Sequence, residues 1–175
     1  QVTVVPTSLE TAWRCETLGL TVRAPGYRGA LSWGFDGADA VDCRLRAIKG
    51  RGGALLREKI LAARCRPYIL IIDDGKLCEN IARKCPVPVE VVPEALALVE
   101  RSLGAFGANE LRLRLGVNKH GPVITEHGNV IIDALFSEID DELERRIKAA
   151  VGVVESGLFL DYASEVLVAY DQEVK

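Results

Sequence analysis

Two short apolar runs, at residues 31–35 (LSWGF) and 68–73 (YILIID), enclose a segment that is dense in charge and glycine. Each run is bounded by Gly, Pro or Asp, as is typical of a buried strand. Between them, Leu, Lys and Ile recur at helical spacing in residues 53–64, and Pro67 marks the boundary before the second strand. A strand–helix–strand unit places its two strands in parallel, so we predict an α/β fold.

Charged side chains follow both predicted strands at the point where each strand ends. Asp36 and Asp39 come directly after the first run, and Lys76 follows the second. The carboxyl ends of parallel strands open on the same side of a sheet, where open α/β sheets bind ligands. We therefore expect these three side chains to face one crevice.

The amino-terminal residues predict one more strand and helix. Residues 2–5 are rich in β-branched side chains and predict a strand. Thr7 followed by Glu10 has the spacing of a capping box, which predicts a helix that runs to about Leu18 with Gly19 as its C-cap.

From Val87 onward, strands and helices alternate at short range. The elements predicted after the second apolar run are a short helix at 77–84, a strand at 89–92, a helix at 93–106, a strand at 111–115, a hairpin of PVIT (122–125) with NVIID (129–133), and a charged helix at 140–150. This order predicts a small βαββαβ-like module. The last apolar strands, at 152–159 and 165–170, are expected to close this module and return to the main sheet.

Composition excludes several classes of partner. The chain has 175 residues, 49% apolar residues and a formal net charge of −3, with its cations spread along the sequence. Nucleic acid is therefore not an expected partner. No apolar run approaches the roughly 18 to 20 residues of a membrane span, so we expect no membrane association and a cytoplasmic location.

Cysteine and histidine spacing predicts no metal site. The five cysteines form no CxxC pair, and His120 and His127 have no HxxxH spacing. We expect reduced thiols, mostly buried, at Cys15, Cys43, Cys65, Cys78 and Cys85. The chain also contains no methionine and begins at Gln1, so we expect that it is not the complete translated product.

Several segments together resemble ribose-5-phosphate isomerase, type A. The segments are DGAD at 36–39, KGRGGALLREK at 49–59, Lys76 after a strand that ends in Asp, PVEVVP at 88–93, GNVIID at 128–133 and GVVESGLF at 152–159. Together they span nearly the whole chain in the family's order and spacing, which makes the resemblance far more specific than one glycine motif.

The resemblance implies an open, mostly parallel Rossmann-like α/β sheet with an inserted ferredoxin-like α+β domain. It assigns residues 1–86 and 155–175 to the catalytic domain and residues 87–154 to the inserted domain, which the family uses for oligomer contacts. A homodimer or homotetramer is expected. The family also begins with a βα unit whose G-T-G-S-T-type loop holds the sugar phosphate, and this chain has no counterpart of that loop.

The DGAD tetrapeptide is the first candidate for substrate binding. Carboxylates at Asp36 and Asp39 could hydrogen-bond sugar hydroxyls or orient an ammonium group, but aspartates are also common turn caps. The resemblance implies that the tetrapeptide, including Gly37 and Ala38, binds substrate.

A glycine-rich loop follows Lys49. Its backbone amides, at Gly50, Arg51 and Gly52, could form an anion-binding nest at the start of the next helix. The Lys49 ammonium could act as a point charge on an oxygen that becomes negative, or it could be solvated. Arg51 stands where the family usually has glycine, so it either strains the loop, if its φ must be positive, or adds a cation to the site.

The resemblance makes Glu58 the general base and Lys76 a substrate-binding lysine. By itself, the amino end of a helix would lower the pKa of Glu58, so burial would have to oppose that effect. Lys76 could also be a surface lysine.

These roles define an aldose–ketose isomerisation without cofactor or metal, between ribose 5-phosphate and ribulose 5-phosphate through an enediolate. The resemblance places this reaction in the non-oxidative branch of the pentose phosphate pathway. Two alternatives remain open: a non-catalytic sugar-phosphate-binding module of the same fold, and a coenzyme A transferase-like enzyme, which would require a covalent glutamate in a different motif.

Overall fold

The computed structural model describes residues 2–118 and 120–170, together with the backbone of Glu173 and Val174. The helices are α1 (Leu9–Thr17), α2 (Leu55–Arg64), α3 (Leu96–Ala105) and α4 (Leu143–Ala149), with short 3₁₀ turns at Asp74–Lys76, Ile81–Arg83 and Pro93–Ala95. The strands are β1 (Thr3–Val4), β2 (Thr21–Val22), β3 (Gly34–Asp36), β4 (Ala40–Val41), β5 (Ala47–Ile48), β6 (Tyr68–Asp73), β7 (Val87–Val91), β8 (Ala108–Leu113), β9 (Val130–Phe136), β10 (Val153–Ser156), β11 (Leu158–Phe159), β12 (Glu165–Tyr170) and β13 (Glu173–Val174).

The parallel sheet that the sequence predicted is present. Strand β6 lies between β3 and β12 and pairs with both in parallel, while β13 adds an antiparallel edge. Helix α2 lies between β3 and β6 in the chain, so the predicted βαβ unit is confirmed. The carboxyl ends of β3 and β6 therefore lie at the same edge of the sheet.

A second, short sheet lies inside the charged segment. Strands β4 and β5 form an antiparallel hairpin, and β11 pairs with the other side of β5. Their residues are almost completely buried. The sequence did not predict this sheet, because two-residue strands are too short to show a hydrophobic period.

The predicted small module forms a four-stranded antiparallel sheet of order β10-β7-β9-β8, packed with α3 and α4. This order is that of a ferredoxin-like βαββαβ unit. The chain thus has the predicted fold class: a Rossmann-like α/β sheet with an inserted small α+β module.

The limits of the inserted module remain a prediction. Strand β10 belongs to the small sheet and β11 to the short one, so we propose that the module ends at Ser156, two residues beyond the limit expected from sequence. Residues 1, 119, 171, 172 and 175 of the predicted domains lie outside the described residues.

The expectation that residues 31–35 form a buried strand was wrong. Only Gly34–Asp36 is a strand, and the side chains of Trp33 and Phe35 are 57% and 61% exposed, with their rings stacked 5.4 Å apart. An apolar run identifies strand propensity, but it does not show whether another layer covers both faces of the sheet.

Two local predictions at α1 had different outcomes. The N-cap is Ser8 rather than Thr7, because the Ser8 hydroxyl accepts a hydrogen bond from the Thr11 amide at 3.2 Å. Gly19 follows the helix with a φ of +73°, as expected of a glycine at a helix end.

Two other predicted elements were wrong. PVIT (122–125) is not a strand; instead β8 pairs directly with β9 across the long connection between them. Residues 77–84 contain only the 3₁₀ turn Ile81–Arg83. In both segments the turn residues that flank the apolar side chains outweigh the short apolar pattern.

The thiols are less buried than the sequence suggested. Cys65 is buried and Cys43 is exposed, while the other three are half-buried, and none of the five forms a disulfide. In the part of the chain that the structure describes, no helix is long and apolar enough to cross a membrane.

Candidate active site

A cavity of about 210 Å³ opens at the carboxyl edge of β3. The described residues that line it are Asp36, Gly37, Ala38, Asp39, Lys49, Gly50, Arg51, Gly52 and Glu58. All of them were candidate site residues on sequence grounds. The tetrapeptide that begins at the last residue of β3 and the loop after β5 therefore line one cavity.

Lys49 is the centre of this cavity. Its ammonium Nζ lies 3.0 Å from Asp36 Oδ2 and 3.2 Å from Glu58 Oε2, and it donates a hydrogen bond to the Gly37 carbonyl. The side chain is only 3% exposed. Such partners offset the cost of burying an ammonium, so the site holds a desolvated positive charge beside two carboxylates.

Short strands position Lys49. It directly follows β5, and its amide donates to the Gly157 carbonyl at 2.9 Å, which extends the pairing of β5 with β11 by one residue. The Phe159 ring centroid lies 5.6 Å from Nζ and forms an apolar wall behind the ammonium. Lys49 is thus held by backbone pairing with Gly157, directly after a strand that is itself paired on both sides.

Glu58 lies in the first turn of α2, with its side chain 14% exposed. Burial raises its pKa above the usual glutamate range, Lys49 opposes this rise, and the nearby charge of Asp36 adds to it. Oε2 lies beside the Lys49 ammonium but has no hydrogen-bond partner of good geometry among the described residues. A buried carboxylate with a raised pKa is suited to accepting and returning a proton.

Lys59 anchors the helix that carries Glu58. Its buried ammonium lies 2.5 Å from Glu144 Oε1 and 3.0 Å from Glu155 Oε1, and 4.8 Å from the Phe159 ring centroid. Glu144 and Glu155 come from α4 and β10 of the small module. The inserted module therefore fixes the orientation of α2 directly behind the site.

Asp36 is held by two neighbours besides Lys49. Its Oδ1 accepts from the Gly37 amide at 2.8 Å, and its Oδ2 lies 3.5 Å from the Tyr68 hydroxyl. Burial and the charges of Asp36 and Glu58 raise the pKa of Tyr68, so the phenol remains a neutral donor. Sequence reasoning missed Tyr68, because a tyrosine at the start of an apolar strand looks like an ordinary core residue.

Asp39 contacts the glycine-rich loop directly. Its Oδ2 accepts a hydrogen bond from the Arg51 amide at 3.1 Å. Positive φ values occur at Gly50 (+102°) and Gly53 (+86°), and Arg51 does not have one. Arg51 therefore causes no backbone strain, and its side chain is exposed at the cavity rim.

Lys76 lies apart from this group. It ends the 3₁₀ turn that follows β6, at the same edge of the sheet, but it does not line the cavity. Its role in binding substrate remains a prediction. Within residues 2–118 and 120–170, His, Cys, Asp and Glu form no cluster of three or more that could hold a metal ion.

Comparison with known proteins shows that this fold belongs to a class of isomerases. The family model for ribose 5-phosphate isomerase A (phosphoriboisomerase A) matches residues 3–173. A ribose-5-phosphate isomerase A from Pyrococcus abyssi is 44% identical over 173 residues, which cover 98% of this chain and 75% of that protein.

Solved structures agree with this assignment. A D-ribose-5-phosphate isomerase in complex with phospho-erythronic acid has a TM-score of 0.94 and 40% identity, covering 99% of this chain and 76% of that one. Ribose 5-phosphate isomerase A from Methanocaldococcus jannaschii has a TM-score of 0.91 and 38% identity, covering 98% and 76%. The chain belongs to the ribose 5-phosphate isomerase A family of isomerases.

Proposed function

We propose that this protein interconverts ribose 5-phosphate and ribulose 5-phosphate through an enediolate, with Glu58 as the base and Lys49 as the group that stabilises the negative oxygen. The observation that carries this proposal is the placement of Glu58 Oε2, 3.2 Å from the Lys49 ammonium and buried in the same cavity. A proton acceptor and a positive charge thus face one small volume.

In the proposed reaction, Glu58 removes the proton from C2 of the ring-opened aldose, and negative charge develops on O1. Lys49 neutralises this charge, and its effect is large because the ammonium is desolvated and held in place before the reaction begins. A proton then passes from the C2 hydroxyl to O1, and Glu58 returns its proton to C1. The product is the ketose, and no atom is gained or lost.

The aspartates would hold the sugar hydroxyls and help to open the ring. Asp36 Oδ2 already contacts Lys49 and approaches the Tyr68 hydroxyl, so it can adjust to a hydroxyl without becoming an isolated buried charge. The remaining lining of Gly37, Ala38 and the glycine-rich loop is small enough to admit the carbon chain. Lys76, at the edge of the sheet, would contact a more distant part of the substrate.

The substrate class is supported by the relative solved with phospho-erythronic acid. That compound combines a phosphate with a planar carboxylate, whose two oxygens resemble those of an enediolate. We expect it to bind this chain at the cavity between the tetrapeptide and the loop.

A non-catalytic sugar-binding module is less consistent with the site. Binding alone has no need for a buried carboxylate of raised pKa, which costs stability. A coenzyme A transferase-like reaction would need a carboxylate exposed to a large thioester, whereas Glu58 is mostly buried beside Lys49.

Two variants test the proposal. Glu58→Gln keeps the shape of the side chain but cannot accept the C2 proton, so we expect kcat to fall by about 10²- to 10⁴-fold or more. The control is Glu94→Gln, the same change at an exposed glutamate that does not line the cavity, which should leave kcat unaltered. Parent protein in heavy water should also place solvent deuterium at the exchanged carbon. Near-parental kcat for Glu58→Gln would exclude Glu58 as the base.

We also propose that the protein acts in the pentose phosphate pathway, in the cytoplasm, as a homodimer or homotetramer. Exposed aromatic side chains such as Trp13 and the stacked Trp33 and Phe35 are consistent with surfaces covered in an assembly. Light scattering after size-exclusion chromatography would decide the oligomeric state, and a monomer at micromolar concentration would contradict it.

A further inference from the structure

One side chain of the inserted module contacts the backbone of the glycine-rich loop. Arg114 directly follows β8, and its Nη1 donates hydrogen bonds to the carbonyls of Gly50 at 2.8 Å and Arg51 at 3.0 Å. The rest of the guanidinium forms a fork with Asp133 of β9: Nε donates to Oδ2 at 2.9 Å, and Nη2 donates to Oδ1. Both side chains are largely buried, 16% and 20% exposed.

These contacts determine where the loop amides point. In a trans peptide unit the carbonyl and the next amide lie in one plane and point in opposite directions. Because the Gly50 carbonyl faces Arg114, the Arg51 amide must point away from it, and this amide indeed donates to Asp39 Oδ2 at 3.1 Å.

The same argument applies to the next peptide unit. The Arg51 carbonyl also faces Arg114, so the Gly52 amide points away from the guanidinium. Gly52 lines the cavity, and its amide donates no hydrogen bond to any of residues 2–118 and 120–170. A backbone donor is thus held at the cavity with no acceptor in the part of the chain that the structure describes.

We propose that Arg114 is a positioning residue, which holds the glycine-rich loop from the inserted module so that the Gly52 amide binds an oxygen of the sugar-phosphate substrate and Asp39 stays in register with the loop. This inference rests on the proposed function for the identity of the ligand. The alignment of the loop itself depends only on the contacts of Arg114.

Arginine is suited to this role and lysine is not. Through Nε and Nη2 the guanidinium donates to the Asp133 carboxylate, and the two N–H groups of Nη1 remain to donate to the two carbonyls. All of these donors lie in one plane. A lysine in its place keeps the charge but has no planar fork, so it cannot hold Asp133 and both carbonyls at once. Arg114→Lys therefore tests geometry separately from charge.

The matched control is Arg112→Lys. Arg112 lies two residues earlier on β8 and also forms an ion pair, with Glu110, but its side chain is 75% exposed and contacts no loop carbonyl. The two variants make the same change in one short segment.

The first measurement needs neither substrate nor activity. Amide hydrogen exchange, read by NMR, should become at least about tenfold faster at Arg51 and Gly53 in Arg114→Lys. These two loop amides donate to Asp39 Oδ2 and to the Gly50 carbonyl, and losing the charge-assisted hydrogen bonds that hold the loop is worth about that factor. The exchange rates of amides in the cores of α3 and β9 should stay within about twofold of those in the parent protein, because a purely local change leaves their opening free energy nearly unaltered. The Arg112→Lys variant should have the exchange rates of the parent protein at all of these amides.

The second measurement is isothermal titration with phospho-erythronic acid, followed by kcat and KM for ribose 5-phosphate. We expect Arg114→Lys to weaken binding by about tenfold and to raise KM, with Arg112→Lys unchanged. If Arg114→Lys does not fold, the same measurements are made on Asp133→Asn. This variant replaces the carboxylate that holds the Arg114 guanidinium by a neutral amide and keeps Arg114 itself.

The outcomes are separable. A parent protein with no isomerase activity would contradict the proposed function, whereas loop exchange would still decide the role of Arg114. Loop exchange and phospho-erythronic acid affinity that both match the parent in Arg114→Lys would overturn the inference. Faster exchange spread evenly over the chain would also overturn it, because Arg114 would then be a general stabilising residue.

Discussion

Gly157→Ala is expected to damage both stability and catalysis, although Gly157 does not line the cavity. Gly157 lies between Lys49 and Pro88, accepting from the Lys49 amide at 2.9 Å and donating to the Pro88 carbonyl at 2.7 Å. A Cβ at this position would lie 2.2 Å from the Lys49 carbonyl oxygen and 2.7 Å from Pro88 Cδ. No rotamer can relieve this contact, because the first of these atoms belongs to the backbone.

The magnitude follows from these distances. Real Cβ contacts essentially never fall below 3.0 Å, so the Lys49 carbonyl would have to move by at least 0.8 Å. Overpacking of this kind costs about 1–3 kcal/mol of unfolding free energy. The shift moves the backbone of Lys49 itself, and misplacement by about 1 Å can cost about 10²-fold in rate.

The assay compares Gly157→Ala with Gly104→Ala by urea unfolding and by kcat for ribose 5-phosphate. Gly104 lies in α3 with open space around its Cβ position, so alanine there should stabilise the protein by up to about 1 kcal/mol without altering kcat. If Gly157→Ala had the stability and the kcat of the parent, the backbone around Lys49 could move without cost. The argument from the clash between the new Cβ and the Lys49 carbonyl would then be refuted.

Three further changes probe the charges around the site. Lys59→Met should lower the free energy of unfolding in urea by about 3–5 kcal/mol, because it removes the buried ammonium that lies between Glu144 and Glu155. Lys49→Met should raise the already raised pKa of Glu58 further, since the ammonium lowers it, and thus shift its titration to higher pH. Asp36→Asn should shift that titration to lower pH, because the Asp36 charge raises the same pKa. Carboxyl-carbon NMR titration measures both shifts.

Each of these has a clear contrary result. Parental stability for Lys59→Met would mean that water reaches its two carboxylate partners. Shifts of the Glu58 titration in the same direction for both Lys49→Met and Asp36→Asn would mean that a change of structure, rather than charge, controls its pKa.

Much of the site could be predicted from the chain order. Asp36 and Asp39 lie at the carboxyl end of one predicted strand, and residues 49–58 lie in the crossover that leads to the next. In a parallel sheet such segments meet at the carboxyl edge, so they were expected to lie close together. The cavity lining confirms their proximity, while their chemical roles remain proposals. Lys76 shows the limit of the rule, because it shares the sheet edge and yet lies outside the cavity lining.

Other predictions failed where a short apolar run was compatible with more than one structure. The run at 31–35 has strand character, but Trp33 and Phe35 are exposed, because strand propensity is local and burial depends on what packs against the sheet. PVIT (122–125) has β-branched residues and still forms no strand, since β8 was the better partner for β9.

The sequence by itself determined the fold class and the parallel βαβ unit, because these depend on hydrophobic period and on order along the chain. The residues that surround the cavity were singled out by their place between the two strands together with the resemblance to the isomerase family. Only the tertiary structure decided the rest. The pKa of Glu58 depends on burial and on the distance to Lys49, and the loop depends on Arg114, 63 residues beyond Arg51. Such contacts carry no periodic signal, because they are made by side chains far apart in the chain whose meeting is fixed by packing.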